Sequence, residues 1–209
     1  MLHLHREKPM IRLLLATNNR GKLHELLPLF GDLPLHLVTP HALGLRLEVA
    51  ETGTTYAENA RLKAAVFAQA SGLLTLADDS GLEVDALGGA PGVYSARYAG
   101  EGASDAERRA RLIHVLRVVS APRLARFRCV MAIAQPGGAM HCFEGVCEGE
   151  ILLEERGTHG FGYDPLFFLP DHGCTMAELP SAVKNQVSHR ARAAQAARPF
   201  LHQLATDHT

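Results

Sequence analysis

The sequence predicts an α/β fold: a mixed β-sheet flanked by helices, in two lobes with a central cleft. Three observations lead there. The first half alternates short apolar runs with helical patterns. Residues 125–153 then read as long strands joined by a tight turn. From Ser188 the chain returns to helix.

Taken in order, Ile11–Ala16 is an apolar run expected to form a buried strand. Thr17–Lys22 (TNNRGK) is a polar turn, and Leu23–Phe30 a helix. Leu35–Val38 is expected as a second strand. Thr55-x-x-Glu58 is a capping box that opens a helix through about Ser71, with Ala60, Ala64, Phe67 and Ala68 on one face. Leu73–Ala77 is the next buried strand. Ser104-x-x-Glu107 is a second capping box, with its helix running to about Val118. Ala125–Gln135 is a long strand, Pro136-Gly137-Gly138 a hairpin turn, and Met140–Leu153 one or two further strands. Ser188–Ala205 is helical, and Pro199 should kink or restart it. Residues 1–9 read as a flexible extension, with Met10 an alternative start, and residues 10–209 as a single domain of two lobes.

The 209 residues, 47% of them hydrophobic, suffice for a substantial core. A formal net charge of −1 supplies no basic field for nucleic acid, so an anionic ligand must be held by a local cluster. The apolar run Leu13–Ala16 is too short for a signal peptide or a membrane span. The four cysteines form no C-x-x-C pair and read as reduced core thiols of a cytoplasmic protein, with zinc binding not expected.

The chemistry concentrates in a few segments. Asp78 and Asp79 stand at the end of the predicted Leu73–Ala77 strand, where two adjacent carboxylates need compensation, usually by a divalent cation. Neighbouring strand side chains point to opposite faces, so the two should have different jobs: one toward cleft and metal, the other tying down a loop. As a competing reading, Asp-Asp-Ser-Gly is an ordinary polar turn. Thr17–Lys22 lacks the P-loop spacing, yet strand, polar turn and helix aim backbone N–H groups at phosphate, with Thr17, Asn18 and Asn19 as hydrogen-bonders and Lys22 as a point charge. It reads equally as a plain strand–helix turn. Glu51 is a candidate metal ligand and Lys63 a phosphate contact, against a loop and a solvated helix face. Phe161 or Tyr163 can stack on a planar base, and Asp164, His189 and Arg190 can hydrogen-bond its edge, with Lys184 holding a sugar, phosphate or base oxygen. Ser188-His189-Arg190 is otherwise a helix cap with two exposed side chains. No G-x-S-x-G elbow or cysteine–histidine arrangement supports nucleophilic catalysis.

Six blocks in order, ATNNRGK (16–22), ETGTTYAENARLKA (51–64), LADDSGLEVDALGGAPGVYSARYAG (76–100), GFGYDPLFF (160–168), AEL (177–179) and SHR (188–190), resemble the inosine triphosphate pyrophosphatase family. The resemblance implies an elongated mixed sheet, a homodimer, and Mg²⁺-dependent hydrolysis of ITP, dITP and XTP to monophosphate and pyrophosphate. It implies that Thr17, Asn18, Asn19, Arg20, Gly21 and Lys22 bind the triphosphate, with Lys63 as a further phosphate contact. It makes Glu51 and Asp79 the metal-binding carboxylates, Asp79 also the general base, and Ser80 a substrate contact. Phe161, Gly162, Tyr163, Asp164, Lys184, His189 and Arg190 then form the nucleobase pocket. The family usually has Gly where this chain has Ala191, and often Gly at Asn18; Arg20 adds a charge near the phosphates. A Maf-like pyrophosphatase of modified pyrimidine nucleotides and a non-catalytic nucleotide sensor are the competing functions.

Overall fold

The computed structural model describes residues 10–207, so the expected extension at 1–9 lies outside the described residues. The elements are β1 (Ile11–Leu15), α1 (Arg20–Phe30), β2 (Leu35–Val38), α2 (Tyr56–Ser71), β3 (Leu74–Val84), α3 (Asp105–Leu116), β4 (Leu124–Ala134), β5 (Met140–Ile151), β6 (Phe167–Leu169), β7 (Cys174–Thr175), α4 (Ser181–Val187) and α5 (His189–Asp207). They build one seven-stranded mixed sheet in the order β2-β1-β3-β4-β5-β6-β7. β1 pairs parallel with β2 and β3, and every later pairing is antiparallel.

The three central strands carry 11, 11 and 12 residues. At ~3.4 Å per residue they are nearly 40 Å long, which makes the sheet long enough to serve two groups of helices. Strand alternation sorts the core. Leu13 and Leu15 of β1, Leu74 and Leu76 of β3, and Cys129, Met131 and Ile133 of β4 pack under α1 and α5. Leu14, Ala77, Val130, Ala132 and Ala134 point the other way, against Tyr56, Ala60, Ala64 and Phe67 of α2. Further along, Leu82, Val84 and Phe127 join Leu112 and Leu116 of α3 with Phe167 and Met176 in a third cluster. The cleft lies over the middle of β3, between the α1/α5 layer and this last cluster.

Both expected capping boxes are present: Thr55 and Ser104 each accept from the backbone of the glutamate three residues on, and that glutamate reaches back. The structure departs from expectation at four places. Arg20–Lys22 are helical rather than a turn, because the Asn19 side chain caps the Lys22 N–H and starts α1 three residues early. β3 does not stop at Ala77 but runs to Val84, so Asp78 and Asp79 stand in mid-strand. Residues 78–81 pair with Met131–Arg128 of β4, and their polar side chains find partners above and below the sheet. Pro199 leaves α5 unbroken, since Ala191, Ala194, Ala197, Leu201 and Ala205 keep one face buried on both sides of it. The sequence patterns also gave no sign of α4, β6 or β7, which are short and interleaved with glycine turns. Among the described residues the cysteines are free, and no helix is long and apolar enough to cross a membrane.

Candidate active site

The cleft encloses about 680 Å³. Its walls are the first turn of α1, the extended segment 47–51, the middle of β3, the first turn of α3, residues 161–164, and Lys184, His189 and Arg190 at the junction of α4 and α5.

Asp78 and Asp79 take opposite faces of β3. Asp78 points under α1 and α5, where Oδ2 meets Lys22 Nζ at 3.1 Å and Arg190 Nη2 at 3.0 Å. Its side chain is fully buried. Burial alone would raise its pKa, but Lys22, Arg190 and Lys63 hold it far below the ordinary carboxylate range. Asp79 points toward α2. Oδ2 accepts from Asn59 Nδ2 at 3.1 Å, and Oδ1 lies 3.3 Å from Lys63 Nζ. Here burial prevails, helped by the nearby Glu51 charge, and the pKa of Asp79 is raised despite Lys63 and Lys22. One dipeptide thus presents two carboxylates whose pKa values are pushed in opposite directions, Asp78 down by its cations and Asp79 up by burial.

Lys63 Nζ also meets Glu51 Oε1 at 2.7 Å. Glu51 is held in turn by Arg97, whose Nη2 donates to its carbonyl at 3.5 Å and whose Nη1 lies 3.8 Å from Oε2. The capping box places Lys63 two turns into α2, and Asn59 one turn before it, so both share the helix face over Asp79. The carboxylates of Glu51 and Asp79 therefore converge on a single cationic point in the cleft wall. No cluster of three or more His, Cys, Asp or Glu gathers among the described residues. Two carboxylates suit a hard divalent cation that keeps part of its coordination for water or substrate oxygens.

The turn before α1 spends its side chains on its own shape. Thr17 Oγ1 accepts from the Asn19 N–H, Asn19 caps α1, and Asn18 Nδ2 donates to the Leu47 carbonyl at 3.0 Å. The first turn of α1 lines the cleft with its Lys22 N–H already taken by Asn19, and Arg20 stands exposed at the rim.

The opposite end of the cleft is a buried ionic lattice. Glu25 accepts from Arg190 Nη1 and lies 2.6 Å from Lys184 Nζ, which also binds Asp164 Oδ2. Arg190, 1% exposed, spends four of its five N–H donors on Glu25, Asp78 and Ser80. It arrives at a base edge already committed. Lys184 keeps one donor beyond its two carboxylates. His189 stacks on Phe127 at 4.7 Å; burial lowers its pKa well below the usual imidazole value, so it is neutral. Its Nδ1 is buried with no hydrogen-bond partner in the structure.

Tyr163, read from sequence as a stacking candidate, is 4% exposed, and its hydroxyl donates to the Ser95 carbonyl at 2.9 Å. It pins the wall. Phe161 is the half-buried aromatic, with the Lys184 and Arg190 cations 5.5 and 5.7 Å from its ring centre. Its ring lies against Gly21 across the cleft, where a Cβ would come within 2.7 Å of it. Gly21→Ala should therefore favour α1 by up to about 1 kcal/mol of helix propensity while displacing Phe161. The expected result is an unchanged or higher Tm with a raised KM, read from a melt and a steady-state assay.

Sequence reasoning missed Glu25, which sits inside an apparently amphipathic helix. Its signal was a carboxylate among Leu23, Leu26 and Leu29, one turn after Lys22. Asp105 and Arg108 of α3, which no sequence motif singled out, also line the cleft.

Comparison with known proteins shows what the chain as a whole is similar to. The model of the Ham1 family matches residues 13–200. A dITP/XTP pyrophosphatase of Geobacter sulfurreducens is 52% identical over 185 residues, covering 88% of this chain and 93% of that protein. The dITP/XTP pyrophosphatase of Desulforamulus reducens is 50% identical over 195 residues, covering 93% and 97%. A solved HAM1 protein from Coxiella burnetii superposes with a TM-score of 0.83 at 41% identity, over 95% of this chain and all of that one (100%).

Proposed function

The chain belongs to the Ham1 family, and we propose on that premise that it is a nucleoside triphosphate pyrophosphatase. It hydrolyses the non-canonical purine nucleotides ITP, dITP and XTP to monophosphate and pyrophosphate, and so clears them from the nucleotide pool. The observation that carries this reading is the convergence of Glu51 and Asp79 on Lys63 in the cleft, in a chain half identical to relatives named dITP/XTP pyrophosphatase. We further read residues 10–209 as one domain of two lobes, working as a homodimer in the cytoplasm.

The triphosphate lies along the first turn of α1. Backbone amides, Lys22 and Lys63 offset its charge and the charge that grows on departing pyrophosphate. Glu51 and Asp79 would hold Mg²⁺, which when bound supplies further charge neutralisation at the phosphates. Binding it requires Lys63 to yield one or both carboxylates, which frees its ammonium for phosphate. Asp79, its pKa raised by burial, accepts the proton of the water that attacks the α-phosphorus.

The base stacks on Phe161. Inosine and xanthine carry a carbonyl at C6 and adenine an amino group. The remaining donor of Lys184, whose ammonium Asp164 and Glu25 hold in its charged form, favours the carbonyl, whereas an amino group would leave it unpaired. Arg190 and Ser80 stiffen this lattice, and Gly162 allows the turn.

The deciding measurement is pyrophosphate release from ITP, dITP, XTP, dATP and dGTP, with Mg²⁺ and with EDTA. The reading expects metal-dependent turnover of the first three and little of the last two. The C6 carbonyl accounts for rejection of dATP alone; because guanine shares that carbonyl, rejection of dGTP requires a second discriminator near C2. Binding of ITP without pyrophosphate release would leave a sensor instead.

A further inference from the structure

Phe161 follows an exposed run, residues 154–160, and is flanked by Gly160 and Gly162 at φ +77° and +63°. Such a segment does not hold an aromatic ring in place by itself, because both neighbours lack a Cβ and the preceding residues bury little. Backbone hydrogen bonds tie the run itself down, from the Arg156 N–H to the Pro165 carbonyl and from the His159 N–H to the Ala177 carbonyl, and the first two turns of α3 hold Gly162. Asp105 Oδ2 accepts the Gly162 N–H at 2.8 Å, and Arg109 Nη1 donates to the Gly162 carbonyl at 3.0 Å. Both backbone groups of one glycine are thus clamped by side chains four residues apart on one helix face. On the other side of Phe161, its own N–H donates to Asp164 Oδ2 at 2.9 Å.

The clamp is itself anchored. The second oxygen of Asp105 takes Arg108 Nη2, and Arg108 Nη1 donates to the Ala96 carbonyl at 2.8 Å. Arg109 Nε lies 2.9 Å from Glu155 Oε1, at the start of the exposed run. Ser104 caps α3 through its capping box, so the helix turn that carries the clamp is ordered independently of the loop.

We propose that Asp105 and Arg109 are positioning residues for nucleobase recognition, acting through Gly162 to keep the Phe161 ring where a base stacks. This rests on the reading of Phe161 as the base-stacking residue. Neither side chain need touch substrate. Their effect falls on binding of the base and not on the phosphate chemistry at Asp79.

The test is steady-state hydrolysis of ITP by Asp105→Ala, Arg109→Ala, Phe161→Leu and the double variant Asp105→Ala/Phe161→Leu, with thermal melts of each. The clamp predicts KM raised about tenfold in each of the first two, the scale of one lost charge-assisted hydrogen bond, with kcat within about twofold. Asp105→Asn, which retains a carbonyl oxygen for the Gly162 N–H, should recover most of the affinity. In the Phe161→Leu background the Asp105 substitution should add little. Glu155→Gln, which removes only the outer ion pair of Arg109 and leaves its bond to the Gly162 carbonyl, should raise KM much less than Arg109→Ala. If Asp105→Ala does not fold, Arg109→Ala and Arg109→Lys carry the test. An unchanged KM in the clamp variants while Phe161→Leu raises it overturns the clamp alone. An unchanged KM in Phe161→Leu overturns the stacking role of Phe161. Effects of full size in the Phe161→Leu background, or a Glu155→Gln defect as large as that of Arg109→Ala, also overturn the proposal.

Discussion

Asp79→Asn is expected to lower kcat for ITP by ~10²-fold or more, the usual scale for loss of a general base, and to leave the protein folded. The second half of this expectation follows from the environment. Burial raises the pKa of Asp79, so its charge is costly to the fold. The amide is isosteric, and its carbonyl oxygen can still accept from Asn59, now 3.1 Å from Oδ2. What disappears, on the proposed mechanism, is an acceptor basic enough to take a proton and one of the two carboxylates that would hold the metal. Pyrophosphate release measured beside a thermal melt separates the two. A variant with near wild-type turnover would remove Asp79 from the chemistry. Asp78→Asn is the instructive contrast. Asp78 is ionised by design of its surroundings, held by Lys22 and Arg190. Its loss should show first in stability, because Lys22 then loses its carboxylate and Arg190 keeps only the carboxylate of Glu25.

Much of the fold was legible because strand and helix periods, capping boxes and hairpin glycines are local signals. Thr55-x-x-Glu58 and Ser104-x-x-Glu107 locate α2 and α3 to within a residue or two. Tertiary partners decided the rest. Nothing local tells that Asp78–Gly81 is strand, since in isolation four polar or small residues favour a turn. Ladder pairing with β4 and cations on both faces override that preference. The alternation argument, however, assigned the two aspartates to opposite faces before any partner was known. In the site, residue types chosen for their chemistry fall in one cleft, with Tyr163 turned to the core and Arg190 already engaged. Glu25 escaped because its significance lies in Arg190, 165 positions away. The Asp105–Gly162 contact escaped for the same reason, at a separation of 57.

Arg190→Ala should be the most destabilising single change in the cleft, at about 3–5 kcal/mol, the cost of stranding buried charges by removing one partner. Arg190 holds Glu25 and Asp78 together beneath α5 while Lys184 and Lys22 flank them. Without it, two buried carboxylates share less positive charge, and Asp78 keeps Lys22 as its direct ion pair with the more distant charge of Lys63. The pH dependence gives an independent reading. Glu25 and Asp78 have lowered pKa values in the fold: burial opposes the shift, but Arg190 with Lys184 at Glu25, and Lys22 with Arg190 at Asp78, outweigh it. Depressed carboxylate values give stability that is fully present above the unfolded-state pKa, near 4, and lost as pH falls through the folded-state values. The wild-type Tm should therefore fall on acidification from about pH 4 downward. The Arg190→Ala protein should start from a lower Tm and lose less of it over that range, since part of the ionic stabilisation has already gone. Melts from pH 7 to pH 3 on both proteins measure this directly. A variant whose Tm at pH 7 matches wild type would show that the buried lattice contributes nothing to stability. Arg190 would then be free for the base-reading role that its place in the Ser-His-Arg segment first suggested.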